Sequence, residues 1–214
     1  MKKVLLIGDS IRMGYGKYVR EALEGTAEVY YPLDNCRFST NVFRFLPDWK
    51  FSEKWPNDID LVHWNAGLWD VLEIDGEGPL NTPDTYEMNI GRIYRKIKSM
   101  YPNAIQIFAT STNVVEEGYK GSFKRHNHYI KQYNEIALRV LGEYKVPIND
   151  LYELTTDIPE ECRSDMTHFN TPQGTKLLGD KVVNVICKHL NIETDSCEMV
   201  EFCPEKFSEK QIGF

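Results

Sequence analysis

The sequence predicts an α/β fold: a mainly parallel five-stranded sheet covered by helices on both faces. Three observations predict it. Short apolar, β-rich runs alternate with longer runs of helical periodicity, as βαβ units require. The first run is apolar throughout rather than alternating, as in a strand buried on both faces. No internal repeat, low-complexity tract or linker divides the chain, and 214 residues suit one domain.

Taken in order, "KKVLLIG" (2–8) is the first strand. "YGKYVREALEG" (15–25) is a helix with Gly25 as its stop, and "AEVYYPL" (27–33) is a second strand. A loop from Asn35 leads into a short helix ending near Trp49. "DIDLVHWN" (58–65) is the third strand, followed by a long polar loop rich in Gly and Pro. Met88, Ile90, Ile93, Tyr94, Ile97 and Met100 recur at helical spacing, so 85–102 is a helix. "AIQIFATST" (104–112) is the fourth strand; 126–145 is a long helix whose apolar face includes Ile130, Tyr133, Ile136 and Leu141. "VPIND" (146–150) is a short fifth strand. In the last helix, 171–190, Thr171 suits the cap and Pro172 the first turn. Residues 1–190 then form one domain, with the tail 191–214 packing on it.

Composition narrows the function. A net charge of -7 and no local cluster of Lys and Arg argue against nucleic acid or anionic lipid as the partner. The apolar run after Lys2-Lys3 is five residues long and ends at Asp9, too short for the core of a signal peptide, and no run has the length of a membrane span. The expectation is a soluble, cytoplasmic protein without membrane insertion. The five cysteines have no metal-site or redox-pair spacing. Reduced thiols are expected, with a Cys197–Cys203 disulfide as the alternative.

Ligands of parallel α/β sheets bind beyond the C-terminal ends of the strands. The first strand ends there in Gly8-Asp9-Ser10, the third in Asn65 and the fourth in Thr110-Ser111. A serine hydroxyl attacks only with a base in hydrogen-bond reach and a third group to orient that base. Of five histidines, His168 lies in the polar loop "RSDMTHFNTP" with Asp165 three residues earlier. That spacing lets the carboxylate hold one imidazole nitrogen while the other faces a hydroxyl. Ser10 as nucleophile, His168 as base and Asp165 as orienter is the expected constellation. A phosphate loop is the poorer reading of "GDSIRMGYG", which lacks both the Walker lysine–hydroxyl pair and G-x-G-x-x-G spacing.

With Gly8-Asp9-Ser10 after the first strand and Asp165-x-x-His168 before the last helix, the chain resembles the SGNH hydrolases, the GDSL-type esterases and lipases. The resemblance covers about residues 3 to 190. It implies a flavodoxin-like three-layer αβα sandwich, no metal and no cofactor, an acyl-enzyme on Ser10, and a site that also includes Asp9. Two middle blocks depart from the pattern. The family has a glycine after the second strand whose backbone N–H joins the oxyanion hole; an ungapped match puts Thr40 there. It also has Gly-x-Asn-Asp after the third strand; here Gly67 and Asp70 fit, but Trp69 stands in place of the asparagine. Asn65 is the nearest amide and the candidate donor. Arg37 and Arg12 are candidates to hold a polar or anionic substrate at the rim, and Trp49, Trp64 and Trp69 to stack on a sugar ring.

The expected function is a serine esterase that removes small acyl groups, acetyl above all, from a carbohydrate or other small-molecule ester. A lipase or thioesterase for longer chains and a noncatalytic carbohydrate-binding relative are the alternatives.

Overall fold

The computed structural model describes residues 1–194. The elements run, in chain order, β1 (Lys2–Ile7), α1 (Ser10–Ala22), β2 (Ala27–Tyr30), α2 (Ser39–Ser52), β3 (Leu61–Trp64), β4 (Glu73–Ile74), α3 (Pro83–Met100), β5 (Ile105–Ala109), β6 (Phe123–Lys124), α4 (Asn127–Gly142), β7 (Ile148–Asn149), α5 (Leu151–Thr156) and α6 (Pro172–Leu190). Cys197, Cys203 and nearly all of the tail lie outside the described residues. Thr194, the last described residue, donates its hydroxyl to the Ala22 carbonyl at the end of α1.

Five strands form one parallel sheet in the order β2-β1-β3-β5-β7. Val4, Leu5, Leu6 and Ile7 are fully buried, which explains why β1 shows no polar alternation. Burial of each such side chain contributes roughly 1.5–3 kcal/mol relative to leaving it in water. Helix α1 packs on α6, while α3 lies between α2 and α4, so the sheet is the middle of three layers. The order is that of flavodoxin-like sheets, whose ligand crevice lies at the switch point between the first and third strands. In the sheet register Ile7 stands beside Trp64, and Asn65 N–H donates to the Ile7 carbonyl. The Gly8-Asp9-Ser10 turn therefore leaves the sheet beside Asn65.

Three local differences from the sequence expectation matter for the site. Helix α1 starts at Ser10, five residues earlier than its periodicity indicated. Asp9 caps it by accepting the Ile11 N–H at 3.0 Å. Gly14 lies inside this helix because the loop before α6 passes close by: a Cβ there would stand 2.5 Å from Asn170 Oδ1. Second, β4 and β6 pair antiparallel in a separate two-stranded sheet that the sequence did not announce. Third, α5 follows β7 directly, capped by Asp150.

Candidate active site

The loop before α6 is tied down by its own polar groups. Asp165 Oδ1 accepts the backbone N–H groups of Thr167 and His168, at 2.7 and 2.8 Å, and Ser164 N–H donates to the His168 carbonyl. These bonds fix the imidazole: its Nδ1 stands 2.8 Å from Asp165 Oδ2 and its Nε2 stands 2.9 Å from Ser10 Oγ. Met166 is held from the other side, its carbonyl accepting the Val115 N–H. His168 is only 7% exposed and Ser10 is equally enclosed, so little water competes for either contact.

Burial raises the cost of charge on Asp165. The hydrogen bonds from the His168 ring and the two N–H groups, and the attraction of His168, outweigh that cost and hold its carboxyl down at about 2. Asp9, wholly buried beside Ser10, goes the other way. Desolvation pushes its carboxyl up, against the Ile11 N–H, the Asn65 amide, Arg125 and His168.

Ser10 and His168 open onto a cleft of about 610 Å³. Trp69, Leu72, Phe123 and Met166 supply its apolar lining, and Lys120 and Arg125 its cationic lining. Such a mix of apolar wall and a few polar groups is usual for a small-molecule site.

The remaining sequence candidates fall in different places. Asn65 packs its amide on Gly8, where a Cβ would come within 2.0 Å of Asn65 Oδ1, and lies against Asp9. It thus supports the turn that carries Ser10 and is not part of the cleft lining. Thr40 is the second residue of α2, and its hydroxyl accepts the Asn89 amide at 3.0 Å. A left-handed backbone conformation occurs three residues earlier. Arg37 has φ +53°, in the left-handed region, and its N–H is taken by Asn35 Oδ1 at 2.9 Å. Helix α2 starts at Ser39, whose N–H and hydroxyl both donate to Asp70. Gly67, at φ +155°, lets the chain pass over Ser111; a Cβ there would stand 2.2 Å from Ser111 Oγ.

Thr110 and Ser111 follow the C-terminal end of β5 but are not part of the cleft lining: Thr110 donates to Asp150, and Ser111 N–H donates to Asn134. Arg12 is buried with its guanidinium on the Asp34 carbonyl, so it braces the loop after β2. Trp64 is a core residue set edge-on to Phe108, and Trp49 packs on Phe45; of the three tryptophans only Trp69 lines the cleft. Arg125 was missed altogether. Its Nε donates to the Leu68 carbonyl at 2.7 Å, a contact across 57 positions of sequence that no local pattern signals. Among the described residues no group of three or more His, Cys, Asp or Glu is placed to hold a metal ion. No helix there is long and apolar enough to cross a membrane.

Among solved structures, the lipase/acylhydrolase of Enterococcus faecalis aligns over 92% of this chain and 100% of its own, with TM-score 0.69 and 22% identity. This is the SGNH-hydrolase fold. A GDSL-like lipase of Bacteroides thetaiotaomicron covers 88% of this chain and 89% of its own, with TM-score 0.67 and 17% identity. The acetyl xylan esterase AlAXEase covers 86% and 99%, with TM-score 0.66 and 17% identity. No protein-family model matches the sequence, and no curated protein does. The likeness lies in the backbone fold, at 22% and 17% identity.

Proposed function

We propose that this chain is a carboxylic ester hydrolase that removes small acyl groups, acetyl above all, from polar alcohols such as carbohydrates. The observation that carries the reading is the Ser10–His168–Asp165 chain of contacts at the mouth of the cleft. Ser10 Oγ attacks the acyl carbon while His168 Nε2 takes its proton. The tetrahedral intermediate collapses, and His168 gives that proton to the departing alcohol, leaving the acyl group on Ser10. Water then attacks the acyl-enzyme with the same base, and the carboxylic acid leaves. Asp165, ionised down to about pH 2, holds Nδ1 protonated and Nε2 free to accept.

The oxyanion requires donors. Ser10 opens α1, where the first N–H groups have no acceptor within the helix, so its own N–H faces the developing charge. The cleft that holds Ser10 combines apolar Trp69, Leu72 and Phe123 with cationic Lys120 and Arg125, which suits an acyl group bound together with a polar alcohol.

A panel of 4-nitrophenyl esters of rising chain length, run beside acetylated sugars, tests the reading. The expected result is turnover that is highest for acetate and falls with length. Rising turnover up to long chains would assign a lipase or thioesterase instead.

A further inference from the structure

Arg125 is 93% buried by its surroundings, at 7% exposure, yet it lines the cleft that holds Ser10. A cation in such a place is costly unless something answers its charge. Its Nε is used by the Leu68 carbonyl, and its guanidinium lies 5.8 Å from the centre of the Trp69 ring. These two contacts orient the group without neutralising it. Neither Nη atom has a hydrogen-bond acceptor among the described residues, and Arg125 makes no ion pair there. Glu73, on the strand paired with β6, stands 3.6 Å from His126 Nε2 and makes no ion pair with Arg125. Lys120 lines the same cleft from its exposed rim. The one acid of the lining, Asp165, is held by His168. Buried Asp9 feels the Arg125 charge but makes no ion pair with it, so a chain of net charge -7 sets two cations without an ion pair, among the described residues, in the cleft that holds its serine.

We infer that Arg125, with Lys120, forms a binding site for an anionic group of the substrate, so that the preferred ester carries a carboxylate on its acyl or its alcohol part. The inference rests on the ester-hydrolase reading for the reaction, but the anion site itself does not need the chemistry to occur. The fork of Arg125 Nη groups suits a carboxylate, which accepts two parallel N–H bonds. Partial burial keeps the attraction from being screened as it is on the surface.

The test uses two matched pairs. Mono-4-nitrophenyl succinate against its methyl ester places the charge on the acyl part. 4-Acetoxybenzoate against its methyl ester places it on the alcohol part. Binding to the Ser10→Ala protein is measured by calorimetry, with hydrolysis by the unaltered protein alongside. In at least one pair the charged member should bind about ten- to a hundredfold more tightly than the neutral one. Arg125→Gln in the Ser10→Ala background should remove most of that preference, Arg125→Lys should keep part of it, and Lys120→Gln, at an exposed residue, should lower it by a smaller factor. The pair that responds assigns the anion to the acyl or the alcohol side. Equal binding of charged and neutral members in both pairs overturns the inference, as does a preference unchanged by both Arg125→Lys and Lys120→Gln should Arg125→Gln not fold. A charge preference without hydrolysis of either pair leaves the anion site standing and overturns the esterase reading instead.

Discussion

His168 Nε2 lies 2.9 Å from Ser10 Oγ although 158 positions of sequence separate the two residues. The contact exists because α1 and α6 pack together on one face of the sheet, bringing the turn after β1 against the loop before α6. Kinetics should follow this geometry. Ser10→Ala and His168→Ala are each expected to lower kcat by up to about a millionfold, and Asp165→Ala by about ten-thousandfold, because an unoriented base still accepts a proton. Steady-state kinetics on 4-nitrophenyl acetate checks the order. A smaller loss for His168→Ala than for Asp165→Ala would assign the roles differently.

Gly8 has no room for a side chain. Its Cβ would stand 2.0 Å from Asn65 Oδ1 and 2.7 Å from Arg12 Cβ. Gly8→Ala must therefore push Asn65 and the start of α1 apart, at a cost of about 1–3 kcal/mol. It should also lower kcat more than it raises KM, because the displaced group is Ser10. Thermal unfolding and kinetics measure both; a variant of unchanged Tm and kcat would show that the turn is slack.

The glycine-like position between β2 and α2 is tested by paired substitutions. Arg37→Gly should be more stable than Arg37→Ala by about 1 kcal/mol, since only glycine takes φ +53° without strain. Thr40→Gly, inside α2, should be less stable than Thr40→Ala by about the same amount. Urea unfolding of the four variants checks both rankings, and the opposite order at either position would contradict the backbone conformation given for it.

Asp70 gives the fold a pH signature. Burial pushes its carboxyl up to about 6, although Ser39 and Asn81 donate to it. The folded state then binds a proton that the unfolded state, at about 3.8, releases, so stability falls as pH rises from about 4 to about 6 and is level above. The change is about 3 kcal/mol, at about 1.4 kcal/mol per pKa unit. Asp70→Asn should flatten that slope in urea unfolding at pH 4 to 7; an equal slope in the variant would place its source elsewhere. Asp165 has the opposite sign. Its carboxyl is held down at about 2, so its contribution is present above about pH 4 and is lost as pH falls towards 2.

The strands and the Ser10–His168–Asp165 set were legible because both leave plain chemical marks: apolar runs that end in small polar residues, and an Asp-x-x-His in a polar loop. The start of α1 was not, because Gly14 stands between the strand end and the run of helical periodicity and reads as a loop residue. In the fold, Gly14 is kept by its closeness to Asn170, a tertiary demand that overrides helix propensity. The β4–β6 pair has two residues per strand, too few for any period to show. Arg37 takes a glycine's conformation with no glycine to announce it, and Arg125 reaches the cleft through a carbonyl 57 positions away. Such placements belong to tertiary packing, and local pattern does not encode them.

The central claim is that Ser10 is a nucleophile activated by His168. A fluorophosphonate reports on it directly, because phosphonylation needs the same attack. Intact mass and peptide mapping of the treated protein should show one adduct, on the peptide that contains Ser10, absent in Ser10→Ala and formed far more slowly in His168→Ala. An adduct that persists in Ser10→Ala, or no adduct on a folded protein that hydrolyses esters, would contradict the account.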